Sequence, residues 1–280
     1  METTGGYAST LKTQVRVIAE KGRKNSAVEQ LVKTKLLPRV ALVREHAVVV
    51  TPTEAKSPFA KREIVEFADL SLHGDDRPLF ARIQRYVAKG YALDVIYLDL
   101  LQPAAQHLGD RWTEDSVDFA TATLGLCQMH QVVRELSPAF HAEGRRRSEG
   151  CHALLTPAGH EQHSFGLAMV GEFLRREGWI VSSGPFATKS RLAAAVRSNC
   201  FTLVGFSLSC DSGLDALASQ IRCVRQASLN RAVWVLVGGR VFVDRPELVA
   251  RVGADAMACD ARQAALISRR LAAIPAERWA

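Results

Sequence analysis

Residues 156–166 read Thr-Pro-Ala-Gly-His-Glu-Gln-His-Ser-Phe-Gly. The apolar run Ala153–Leu155 precedes this loop, and a helical pattern over Phe165–Arg176 follows it. The same alternation continues downstream. Short apolar runs at Trp179–Val181, Phe201–Leu208, Ala232–Val237 and Ala254–Ala258 are bounded by Gly, Pro or Ser. Helical patterns at Ser190–Arg197, Leu214–Gln226, Pro246–Val252 and Ala261–Leu271 complete the units. Alternating strands and helices imply a parallel sheet covered on both faces. Residues 151–273 are therefore expected to form a flavodoxin-like (Rossmann-like) α/β domain, with ligands beyond the carboxyl ends of the strands at the switch point between the first and third. The quoted loop follows the first strand, Gly205-Phe-Ser-Leu-Ser-Cys210 ends the third, and Gly238-Gly239-Arg240 follows the fourth. All three should meet at one edge of the sheet.

Upstream, Gly144-Arg-Arg-Arg-Ser-Glu-Gly150 reads as a charged linker, making 144–150 the expected domain boundary. Residues 59–143 are helical in pattern. Ile64 to Leu70 form one amphipathic segment ended by Gly74, and Leu79, Phe80, Ile83 and Val87 form a second before Gly90. Leu93 to Leu101 form a third, which Pro103 is expected to kink. Phe119, Thr123, Leu126, Cys127, His130, Val133 and Leu136 form the fourth. Four segments joined by short turns describe an all-α four-helix bundle. Residues 1–55 form a basic N-terminal extension with a short helix over Ala27–Leu37 and a strand-like run over Val40–Val50, and 274–280 form a tail.

The net charge of +7 is spread along the chain. It permits weak contact with nucleic acid but is equally the mark of a solvated basic surface. Six cysteines, at 127, 151, 200, 210, 223 and 259, form no C-x-x-C pair and are expected to be buried free thiols of a reducing compartment. With no apolar leader in METTGGYASTLKTQ and no run of about 18 apolar residues, the expected location is the cytoplasm, without membrane contact.

Glu161-x-His163-x-x-Gly166, Ser207-Leu208-Ser209 and Gly238-Gly239 together resemble the cobalamin-binding domain family, whose signature is D-x-H-x-x-G, then S-x-L, then G-G. Glu stands here in the Asp position and Ser209 in the Leu position. The resemblance spans 151–273. It implies cobalamin (adenosylcobalamin or hydroxocobalamin) as cofactor, with His163 as the lower axial ligand to cobalt, a metal that a neutral imidazole suits. Glu161 would hold the other imidazole nitrogen. Ser207 would bond the displaced base, and Gly166, Gly238 and Gly239 would make room for the nucleotide tail. His160 and His163 are three residues apart in a loop, unlike the four-residue helical spacing of a zinc protease pair.

Leu108-Gly-Asp-Arg-Trp112 followed by Phe119-Ala-Thr-Ala-Thr123 resembles the helical cap that precedes cobalamin domains in methionine synthase and in light-sensing regulators. That resemblance places Trp112 at the upper face of the corrin. Ala122-Thr123 stand where photoreceptor repressors carry a Glu-His pair. The whole chain is most similar to the PpaA/AerR regulators. This implies a non-enzymatic, light-responsive antirepressor of photosynthesis genes whose partner is a repressor of the PpsR/CrtJ type. No catalytic constellation is evident, and the chain has no room for the substrate barrel of a corrinoid enzyme. A corrinoid carrier for a methyltransferase, a haem-binding redox sensor and a direct DNA-binding regulator remain as alternatives.

Overall fold

Strands β1 (His152–Pro157), β3 (Leu203–Ser207) and β4 (Trp234–Gly238) are buried along most of their length, as near-continuous apolar runs must be when both faces of a sheet are covered. The computed structural model describes residues 57–144, 150–159, 161, 164–186 and 188–274. The segments expected as an N-terminal helix and a strand-like run, Arg145–Arg147, His160, His163 and residues 275–280 lie outside the described residues. With β2 (Ile180–Ser183) and β5 (Ala256–Ala258) the strands form one sheet in the order β2-β1-β3-β4-β5, every pairing parallel. The chain goes outward from β1 to β2, then returns past β1 to β3. The switch point therefore lies between β1 and β3, as the sequence pattern predicts.

Side chains alternate across the sheet. Ala153, Leu155, Leu203, Trp234, Leu236 and Ala256 enter one core with α5 (Phe165–Arg176) and α10 (Ala261–Ala272). Leu154, Val204, Phe206, Val235 and Val237 enter the other, under α6 (Lys189–Ser198) and α7 (Leu214–Ala227). Two short helices, α8 (Arg240–Asp244) and α9 (Leu248–Val252), connect β4 to β5.

The helical region consists of α1 (Lys61–Ser71), α2 (Arg77–Ala88), α3 and α4 (Phe119–Ala142). Helix α3 begins at Leu93–Val95, widens into a π-helical turn over Ile96–Leu101 and resumes over Gln102–Thr113. Proline has no N–H, and its ring crowds the carbonyl four residues back. The widened turn, in which the Gln102 N–H reaches the Tyr97 carbonyl, accommodates Pro103. The helix thus continues through Pro103 by way of this π-helical turn. At the start of α4 the Asp118 carboxylate accepts the Thr121 N–H at 3.0 Å, an ordinary N-cap.

The helices and the sheet share a core. Tyr97 stacks on Phe140 at 4.5 Å, and Phe173 of α5 packs edge-on against Phe140 at 4.9 Å. Leu100, Leu101 and Met129 belong to the same apolar cluster as Leu155 and Leu236. Helix α4 lies along α5 in the same direction. His130 meets Phe165, Ser137 bonds Glu172, and Glu143 pairs with Arg176. Glu172 is buried, with carboxylate oxygens 2.9 Å from His141 Nε2 and 3.0 Å from Arg175 Nη1.

The cysteines depart from expectation. All six are free, but Cys127, Cys200, Cys210 and Cys259 are exposed, and Cys151 and Cys223 are half-buried. Apolar neighbours suggested burial, whereas these thiols sit at strand ends, in loops or on outward helix faces. Among the described residues no helix is long and apolar enough to cross a membrane.

Candidate functional site

Strands β1, β3 and β4 end level with one another: Pro157 is opposite Ser207, and Ser207 opposite Gly238. The three loops of the sequence motif therefore leave the sheet side by side. Backbone bonds join them, with the Ala158 N–H donating to the Ser207 carbonyl at 2.9 Å and the Leu208 N–H to that of Gly238 at 3.0 Å. Glu161 adds a longer tie, its Oε2 accepting the Ser209 N–H at 2.6 Å. The family resemblance implies an imidazole partner for Glu161. His163 lies outside the described residues, and the contact on view links the first loop to the third. The longer reach of Glu relative to Asp suits that span. The Gly159 N–H donates to Gln220 Oε1 of α7 at 3.0 Å, which anchors the first loop from below.

The motif glycines differ in kind. Gly166 lies in the first turn of α5, and a Cβ there would meet nothing within 4 Å. That open space fits a slot for an extended ligand tail. At Gly238 a Cβ would come within 3.2 Å of the Ala258 carbonyl oxygen. Gly239 has φ of +102°, and a Cβ there would fall 2.3 Å from the Leu208 carbonyl oxygen. Its need for glycine is thus met within the protein, by a left-handed backbone against the neighbouring loop. Glycine at 239 is therefore required by the protein's own packing and not only by the room expected for a nucleotide tail. Ser207, at the end of β3, is half-buried, and its hydroxyl has no hydrogen bond among the described residues.

A helical roof faces this edge. Helix α4 meets the first residue of α5 at His130, so the stretch from Phe119 to His130, about 16 Å at the usual helical rise, extends beyond the start of α5. Phe119, Thr123, Cys127 and His130 recur at helical spacing and so share a face that leads down to Phe165. Phe119 is exposed, with Trp112 of α3 beside it at 6.0 Å between ring centres. Trp112 is 39 % exposed and is therefore not a core residue of the bundle. Two residues before it, Asp110 pairs with Arg240, the residue directly after Gly238-Gly239, at 3.0 Å. That exposed pair brings the tip of α3 beside the loop after β4. Burial, assisted by Arg134, holds the His130 imidazole below its usual pKa, so it is neutral where it faces Phe165.

The three loops and the open Gly166 lie at the carboxyl edge of the sheet, with the apolar end of α4 extending beyond it. Residues 151–267 match the B12 binding domain family. This match covers the α/β domain, from the residue before β1 into α10. The chain is 27% identical over 160 residues to an uncharacterized 20.5 kDa protein of the bchF–crtJ intergenic region of Rhodobacter capsulatus, covering 56% of this chain and 81% of that one. In structure it is similar to the monomethylamine corrinoid protein of Methanosarcina barkeri, with a TM-score of 0.60 and 18% identity over 75% of this chain and 99% of that one. At that identity the likeness shows the fold, and its extent takes in helices upstream of the matched domain.

The structure brings Glu161, Gly166, Ser207, Ser209, Gly238 and Gly239 to one edge, with Trp112 on the roof tip tied to the same edge through Asp110 and Arg240. Sequence reasoning missed Gln220 and the Asp110–Arg240 pair. Nothing in the sequence singles out Gln220. Arg240 could have been noticed as the charged residue directly after two glycines.

Proposed function

We propose that the chain is a cobalamin-binding, light-responsive regulator that acts as an antirepressor, without catalysis of its own. What carries the reading is the convergence of the Glu161-x-His163-x-x-Gly166, Ser207–Ser209 and Gly238-Gly239 loops at the switch point of a domain matching the B12 binding family. Bound cobalamin would supply a photolabile cobalt–carbon bond on its upper side. His163 would hold the cobalt from below. Glu161 would keep the loops after β1 and β3 joined, Ser207 would bond the displaced base, and Gly166 would leave the tail its space. Trp112 and Phe119 would line the upper side and exclude water from it. The relative encoded beside crtJ supports a regulatory role, with a repressor of the PpsR/CrtJ type as partner.

The test is the absorption spectrum of the purified protein with adenosylcobalamin, in the dark and after illumination. A bound corrinoid spectrum that changes on illumination is expected. His163→Ala should weaken binding or leave the cobalt without a protein ligand, and an unaltered spectrum and affinity in that variant would remove the assignment. A second reading, a corrinoid carrier for a methyltransferase, draws on the likeness to the monomethylamine corrinoid protein. Methylation of the cobalt(I) form by a donor and partner enzyme would favour it.

A further inference from the structure

On the face of the sheet away from the helical roof, α6 and α7 enclose an open groove of about 400 Å³. Lys189, Arg197 and Arg222 line it, with Ser190, Ser219 and Gln226 between them, and no carboxylate is in its wall. Helix α6, Lys-Ser-Arg-Leu-Ala-Ala-Ala-Val-Arg-Ser, contains three cations and no acid. Lys189 Nζ reaches Ser219 Oγ at 3.1 Å across the groove. Arg197 and Arg222 are exposed, and among the described residues neither pairs with a carboxylate. This contrasts with Arg225 on the next turn, which is held by Asp255 at 2.9 Å.

We infer that this groove binds the phosphodiester backbone of a nucleic acid without reading its bases. Unpaired cations beside one another repel, which an anion placed between them relieves. Lys189 and Arg197 are eight residues apart, about 12 Å along the helix, a span that takes in more than one phosphate of a strand. Serine hydroxyls and a small Ala193 floor let a phosphate approach and be bonded. No aromatic side chain lines the groove, so a nucleotide base has nothing on which to stack, which favours a backbone over a free nucleotide. The groove opens between α6 and α7, away from the three motif loops' own side chains, and the inference does not depend on the cobalamin assignment.

The test is fluorescence anisotropy of the full chain with a labelled duplex of about 20 bp and arbitrary sequence, between about 50 and 200 mM salt. Weak, sequence-independent binding is expected for the wild type. In Arg197→Glu/Arg222→Glu, affinity at the low-salt end should fall at least about tenfold, and the logarithmic salt slope should become shallower by nearly two, at about 0.9 per lost phosphate contact. Arg197→Lys/Arg222→Lys should retain most of the binding. Lys61→Glu/Lys89→Glu makes the same change of charge on exposed bundle positions and should alter the slope little. Matched DNA and RNA duplexes identify the source of the backbone, and binding of either supports the groove. Absence of binding by the wild type, an unchanged slope in the folded Glu variant, an equal loss in the Lys61/Lys89 control, or equal displacement by polyglutamate of matched charge would overturn the inference. A thermal melt of each variant confirms folding.

Discussion

Gly166 and Gly239 make opposite demands on a substituted side chain. Leucine at 166 would enter open space in the first turn of α5. Stability should be kept or raised by up to about 0.8 kcal/mol, since glycine is the poorer helix former. Cobalamin affinity should nevertheless fall at least about tenfold, roughly 1.4 kcal/mol. Leucine at 239 would meet the Leu208 backbone in a left-handed conformation and should cost at least about 2 kcal/mol of stability. Urea denaturation with cofactor titration separates the two. Loss of stability in Gly166→Leu, or none in Gly239→Leu, would contradict the geometry. His130 gives a second expectation. Its folded pKa lies below the unfolded value, so the unfolded chain binds more protons as pH falls. The contribution is present above about 6.5, the unfolded pKa, and is lost as pH falls toward the folded value. His130→Phe should flatten the stability profile between about pH 7 and 5, measured by denaturation across that range.

At the scale of elements, the strands and the helices between them were largely legible, because a strand buried on both faces must be apolar throughout. Phe165–Arg176 was read as a helix and is one to the residue. The roof was legible as helices but not as a roof. Its position depends on α4 lying along α5 through Ser137 and Glu172, and no local pattern links residues so distant in sequence. The three motif loops were legible because parallel topology brings strand ends to one edge. The role of Gly239 was not, because its constraint comes from the backbone of Leu208. Trp112, half-exposed at the end of α3, is the element-scale probe of sensing. Trp112→Ala should leave the lower-face spectrum intact while narrowing the dark–light difference in repressor affinity at least about threefold. Emptying an apolar site shifts a two-state balance only while its wall is in place. An undiminished difference measured by calorimetric titration would return Trp112 to a packing role.

The whole molecule is joined by one core running from the helical bundle to the sheet, and by the buried carboxylate of Glu172 between Ser137, His141 and Arg175. Glu172→Ala would strand those partners and should cost about 1–3 kcal/mol, tempered because His141 and Arg175 reach solvent. Unfolding should remain a single transition, with circular dichroism and tryptophan fluorescence coincident. Separate transitions for helices and sheet would show that the shared core does not unite them.

The same clamp limits where a signal can travel. Helix α4 is secured to α5 from His130 to Glu143, so a ligand at the sheet edge has only a short lever to move: Phe119 to Cys127 with the tip of α3. Wholesale swinging of the cap would have to break the Glu172 cluster and the Tyr97–Phe140–Phe173 stack. Dark and illuminated protein should therefore give nearly superimposable small-angle scattering curves, while amide hydrogen exchange changes within 108–127 and stays constant in 131–142. Under the proposed function, a partner that senses the ligand would dock on the tip of the molecule.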